Sequence, residues 1–119
     1  MEMKTYQDLA DAVDQNGNVL GIEMRVLRDV HGAGKLGTIV VASIRERLES
    51  LGLGHAPADE LPRDHWRRVL IYRKGTQVAR LIEAANSASE DSDKILREFA
   101  NKDSKASEIV QRVRELVCD

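Results

Sequence analysis

Arg63, Arg67, Arg68, Arg73, Lys74 and Arg80 are six of the seven charged side chains between positions 63 and 80, and Asp64 is the other. Cations spaced along one segment suit contact with the phosphates of a nucleic-acid backbone. Residues 66 to 73 read as a strand ending in a turn at Lys74-Gly75. Alternation puts Arg68, Leu70 and Tyr72 on one side, and Arg67, Val69, Ile71 and Arg73 on the other. The apolar side is not clean, which fits a strand lying partly at a sheet edge. Arginines also keep edge strands from aggregating, so the phosphate reading and a purely solubilising one both stand.

A second candidate surface precedes it. Leu36 to Ser50 carries a helical stripe of Leu36, Ile39, Val40, Ile44, Leu48 and Leu51. Its other face offers Thr38, Ala42, Arg45 and Glu49, and Lys35 stands at its entrance. Arginine in such a position reads guanine. Glu46 and Glu49 oppose phosphate, so the electrostatic case here is mixed.

Other chemistry fares worse. Gly32-Ala33-Gly34-Lys35-Leu36-Gly37-Thr38 falls short of a phosphate loop: Leu36 stands where Ser or Thr belongs, and Asp29 where the first glycine belongs. The run reads as a turn whose short residues let two helices approach closely, with free amides at the second helix able to meet one phosphate. His31, His55 and His65 have no metal-ligand spacing, and Cys118 is distant. No serine sits in a nucleophile elbow. Asp59 with Glu60, and Asp91 with Asp93, lie where acids are expected in loops and helix starts. The expectation is a non-enzymatic protein with no metal and no cofactor.

Composition bounds the partners. The net charge of −2 excludes blanket affinity for nucleic acid and requires a local patch. That patch exists in outline. Residues 1–24 hold five acids and one base, residues 25–50 five bases and three acids, and residues 81–119 nine acids and six bases. Aromatic content of 3% argues against a base-stacking surface for single strands. A single cysteine excludes an internal disulfide and fits a reducing compartment. No run approaches the roughly 18 apolar residues of a membrane span. The start Met1-Glu2-Met3-Lys4 lacks a signal-peptide core. A cytoplasmic protein with no membrane partner is expected.

The elements that must position these residues follow from spacing. Thr5 caps a helix to Val13, with Tyr6, Leu9, Ala10 and Val13 on one face. Asn16-Gly17-Asn18 ends it, and Val19-Leu20 is a minimal strand. Ile22 to Val30 reads as a helix with Ile22, Val26, Leu27 and Val30 inward. Gly52 closes the Leu36–Ser50 helix, and residues 53 to 56 read as a strand. Pro57 to Asp64 is a loop. Gln77 to Ala85 is a helix facing inward through Val78, Leu81, Ile82 and Ala85. A further start near Asp91 brings Ile95, Leu96 and Phe99 into packing. A last helix from Asp103 or Ser104 presents Ile109, Val110, Val113, Leu116 and Val117. It either folds back on the domain or forms a dimer or partner surface.

The chain between Val19 and Ala85 resembles small bacterial winged-helix domains associated with phage-defence and other conflict systems. The resemblance is carried by residues 27–37 (from Leu27-Arg28-Asp29 to Leu36-Gly37), Ile44, Leu48, Gly52-Leu53-Gly54-His55, Glu60-Leu61-Pro62 and Val69-Leu70-Ile71-Tyr72-Arg73-Lys74-Gly75-Thr76. It implies a regulatory or adaptor module and carries no catalytic residues. The expected fold is α+β: a winged helix-turn-helix over residues 1–86, with a small antiparallel sheet from residues 19–20, 53–56 and 66–73, and a helical extension over 87–119. The expected function is a nucleic-acid-binding regulator. Lys35, Thr38 and Arg45 would face the groove, and Arg67, Arg68, Arg73 and Lys74 would hold phosphates. The alternative is a protein-interaction adaptor or a small phage-encoded inhibitor in a bacterial defence system.

Overall fold

A computed structural model describes residues 3–57, 61–86 and 104–117. The expected packing of Ile95, Leu96 and Phe99 and the start near Asp91 lie outside them. The chain is α+β. In order it forms α1 (Tyr6–Gln15), β1 (Val19–Glu23), α2 (Met24–His31), α3 (Thr38–Ser50), β2 (Leu53–Ala56), β3 (Arg68–Arg73), α4 (Gln77–Asn86) and α5 (Ser104–Val117). Among the described residues no helix is long and apolar enough to cross a membrane.

Local chemistry sets the ends of the helices. Thr5 Oγ1 accepts from the Asp8 amide at 3.1 Å, while Asp8 Oδ2 accepts from the Thr5 amide at 3.2 Å. This reciprocal box fixes the start of α1. Gly32 ends α2 at φ +79°, a left-handed cap that a side chain would strain. The close helix approach expected of Gly34 and Gly37 is not what their small size serves: a Cβ at either would meet nothing within 4 Å.

The three strands are antiparallel, in the order β1–β3–β2. β3 is therefore the central strand, not an edge. Val19 pairs with Tyr72 and Glu23 with Arg68 on one side, and Leu53 with Arg73 and Ala56 with Leu70 on the other. The expected strand at 19–20 extends to Glu23, because Ile22 and Glu23 complete the ladder with Val69 and Arg68. The expected strand start at Trp66 moves to Arg68, because Asp64 Oδ1 holds the Trp66 amide at 3.0 Å in a turn.

Both faces of β3 are buried. Val69 and Ile71 join α1, α2 and α3 in a core with Leu9, Val13, Leu27, Ile44 and Leu48. Leu70 and Tyr72 face the other way into a second core with Ala79, Ile82 and Val113. So α3 and α5 lie on opposite faces of the sheet. Residues 104–117 pack on their own chain through Ile109, Val113 and Leu116. A fully buried residue such as Leu48 is worth about 2–5 kcal/mol against alanine.

Residues 61–67, which lead into β3, contact the first core and α2. Leu61 is buried in the first core. The first two amides of α2, at Met24 and Arg25, donate to the carbonyls of Arg67 and His65, each at 2.9 Å. Glu23 gives α2 no side-chain cap, so these carbonyls satisfy amides that would otherwise be orphaned. Arg28 Nη1 donates to His65 Nδ1 at 2.7 Å, and the Arg25 guanidinium lies 5.3 Å from the Trp66 ring centre.

Candidate nucleic-acid interface

The buried stripe of α3 is Val41, Ile44 and Leu48. Ile39, expected inward, is 83% exposed. The outer face therefore carries Thr38, Ile39, Ala42, Arg45, Glu46 and Glu49, all exposed. Thr38 and Arg45 stand seven residues apart on that face, about 10 Å along the axis. Lys35 is exposed in the turn just before the helix.

A cation from the β2–β3 connection joins the start of this helix. Arg63 Nη1 donates to Thr38 Oγ1 at 3.2 Å. Lys35, Thr38 and Arg63 thus gather at the α3 N-terminus, whose partial positive charge has the same sign as that of Lys35 and Arg63. Gly37 offers no side-chain cap there.

Arg45 stands further along the helix, and Lys74 directly follows β3. Both line a cavity of about 240 Å³ with Glu49, Leu53, Gly54, His55 and Tyr72. His55 Nδ1 lies 2.8 Å from the Pro57 carbonyl oxygen. A carbonyl only accepts, so Nδ1 carries the proton. Burial pushes the His55 pKa below its ordinary value; the Pro57 bond opposes this, and the Arg45 and Lys74 charges add to it. The Tyr72 ring covers Gly54 directly. A Cβ on residue 54 would come within 2.6 Å of Tyr72 Oη, so only glycine lets the ring lie there.

The remaining expected contacts are placed elsewhere. Arg73 Nε and Nη2 donate to Asp14 Oδ1 and Oδ2 at 3.0 and 3.1 Å, and its Nη1 donates to the Leu51 carbonyl at 2.7 Å. These bonds join β3 to the end of α1 and to the α3 cap, leaving the fork engaged within the fold. Arg67 and Arg68 lie at the opposite end of β3; from Arg68 to Arg73 the strand runs about 17 Å. Both line a cavity against α5 rather than α3. The basic segment therefore does not present its cations on one shared surface. Two cations of α2 are paired, Arg25 with Glu23 at 3.3 Å and Arg28 with Asp29 at 2.9 Å.

Sequence reasoning assigned no role to Arg63, His55 or Ile39 in this surface. Arg63 was visible as part of the charge run, but nothing local signals a partner 25 residues earlier. The three histidines do not converge: His31 Nδ1 is 2.6 Å from Tyr6 Oη, and His55 and His65 make the separate bonds given above. Among the described residues no group of three His, Cys, Asp or Glu side chains is placed to hold a metal ion. No family model, curated protein or solved structure matches the chain.

Proposed function

We propose that the protein is a winged-helix regulatory module that meets double-stranded nucleic acid through the outer face of α3. The order α1–β1–α2–α3–β2–β3, with β3 central, supports a winged-helix arrangement in which α3 is the groove-reading helix. One observation carries the functional reading: α3 is flanked at both ends by cations drawn from elsewhere in the chain. Arg63 donates to Thr38 at one end, and Lys74, whose amide donates to the Gly52 carbonyl, lines one cavity with Arg45 toward the other. With Lys35 they form a basic margin around a face whose small residues, Thr38 and Ala42, permit close approach to bases. The reading keeps Lys35, Thr38, Arg45 and Lys74 from the expected set, adds Arg63, and leaves out Arg67, Arg68 and Arg73.

Fluorescence anisotropy with random duplex DNA tests it. Alanine at Lys35, Arg45, Arg63 and Lys74 together should abolish binding. Binding equal to wild type would end the nucleic-acid reading.

A second reading rests on Ile39 and Trp66, 83% and 70% exposed. Large apolar side chains at these positions suit a protein partner, with Arg45 and Lys74 meeting its acids. In that case duplex DNA fails to bind even at low salt.

A further inference from the structure

Gly21, on β1, faces α5, and its missing side chain leaves room that two guanidinium groups share. A Cβ built there would lie 3.3 Å from Arg68 Nη2 and 3.9 Å from Arg112 Nη1. Arg68 Nη2 donates to the Gly21 carbonyl at 3.2 Å. Among the described residues neither arginine is ion-paired. Two cations brought together with no carboxylate in ion-pair contact repel each other, and an anion placed between them removes that cost.

The space they border is a real cavity. It measures about 440 Å³ and is lined by Gly21, Arg67, Arg68, Leu70, Arg112 and Leu116, with Val69 and Glu115 completing the wall. A smaller cavity of about 200 Å³ lies beside it and shares Gly21, Leu70 and Arg112. The larger volume falls in the range of small-molecule sites, which join an apolar lining to a few convergent polar groups. Here the polar groups are three arginines and one carboxylate, Glu115, and Val69, Leu70 and Leu116 supply the apolar part. Glu115 Oε1 accepts from Gln111 Nε2 at 3.3 Å on the same helix.

We infer that this cavity between the sheet and α5 binds a small amphipathic anion. Its carboxylate or phosphate head lies between Arg68 and Arg112, and its short apolar body lies along Leu70 and Leu116. Forked guanidinium groups suit either head. The site does not depend on the nucleic-acid reading, because α3 lies across the sheet from it.

Isothermal titration of the full chain with octanoate, octyl phosphate, octan-1-ol and inorganic phosphate tests the assignment. One of the two amphipathic anions should bind at least tenfold more tightly than both octan-1-ol and inorganic phosphate. Comparing octanoate with octyl phosphate identifies the preferred head. Arg112→Ala should weaken that binding at least tenfold, and Arg114→Ala, an exposed residue of the same helix outside the cavity lining, should not. Circular dichroism verifies the fold of each variant, and Arg68→Gln replaces Arg112→Ala if the latter unfolds. Octan-1-ol binding as tightly as the anions, neither anion binding at millimolar concentration, or unchanged affinity in a folded arginine variant would each overturn the inference.

Discussion

Arg73 and Asp14 meet in a two-bond fork, Nε to Oδ1 at 3.0 Å and Nη2 to Oδ2 at 3.1 Å, joining the last residue of β3 to the last turn of α1. The residues are 59 positions apart, and the third arm of the same guanidinium reaches the Leu51 carbonyl. An arginine in the middle of a basic segment is thereby a structural tie.

Replacing it should act on stability and leave nucleic-acid contact alone. Arg73→Ala should cost about 1–3 kcal/mol, because it strips hydrogen bonds from a carboxylate and a carbonyl together. Arg73→Lys should recover only part of this, since an ammonium cannot reproduce the fork. Urea unfolding measures both. The salt dependence of DNA binding should match wild type in whichever variant stays folded. A reduced slope would return Arg73 to the interface.

Gly54 and Tyr72 are coupled through the overlap a methyl group would create. Gly54→Ala should destabilise by about 1–3 kcal/mol, the usual cost of overpacking. Replacing Tyr72 by Leu in the same chain should recover part of the loss, as contacting residues are non-additive. Gly34→Ala, where a Cβ meets nothing within 4 Å, should change stability by less than about 1 kcal/mol. Denaturant midpoints for the four proteins decide it. Equal losses at Gly34 and Gly54 would remove the steric explanation.

Tyr72 also sets a pH dependence. Burial pushes its phenol up to about 12, and Glu83 adds in the same direction. In the unfolded chain the group ionises near pH 10. Its contribution is therefore complete below about pH 10 and is lost as the pH rises toward 12. The loss amounts to about 2 kcal/mol. Unfolding free energies at about pH 9 and 11.5 should fall more for wild type than for Tyr72→Phe, while lysine titration affects both alike. Parallel losses would contradict this.

Much of the element order was legible because three of the five described helices carried their own punctuation: Thr5 before α1, Gly32 after α2 and Gly52 after α3. What failed was phase and partnership. Ile39-Val40-Val41 is a continuous apolar run, so periodicity cannot say which of the three turns inward; packing chose Val41 and left Ile39 outside. Ile22 has helical spacing to Val26 and Val30, yet pairing with Val69 drew it into β1. The run Val69 to Tyr72 is continuously apolar, the pattern of a strand buried on both faces, but its flanking arginines suggested an edge. Of the expected contact residues, Lys35, Thr38 and Arg45 come from one local element and share a surface. Arg67, Arg68 and Arg73 depended on distant partners, α5 and Asp14, that no local pattern encodes.

The salt dependence of duplex-DNA binding tests the central claim most directly. If Lys35, Arg45, Arg63 and Lys74 each neutralise one phosphate, affinity should fall about 150-fold between 50 and 200 mM salt. Arg45→Ala with Lys74→Ala should reduce the log–log slope by about 2, while Arg67→Ala with Arg68→Ala should leave it unchanged. A slope near zero in wild type, or one that responds to Arg67 and Arg68 but not to Arg45 and Lys74, would contradict the assignment of α3 as the nucleic-acid face.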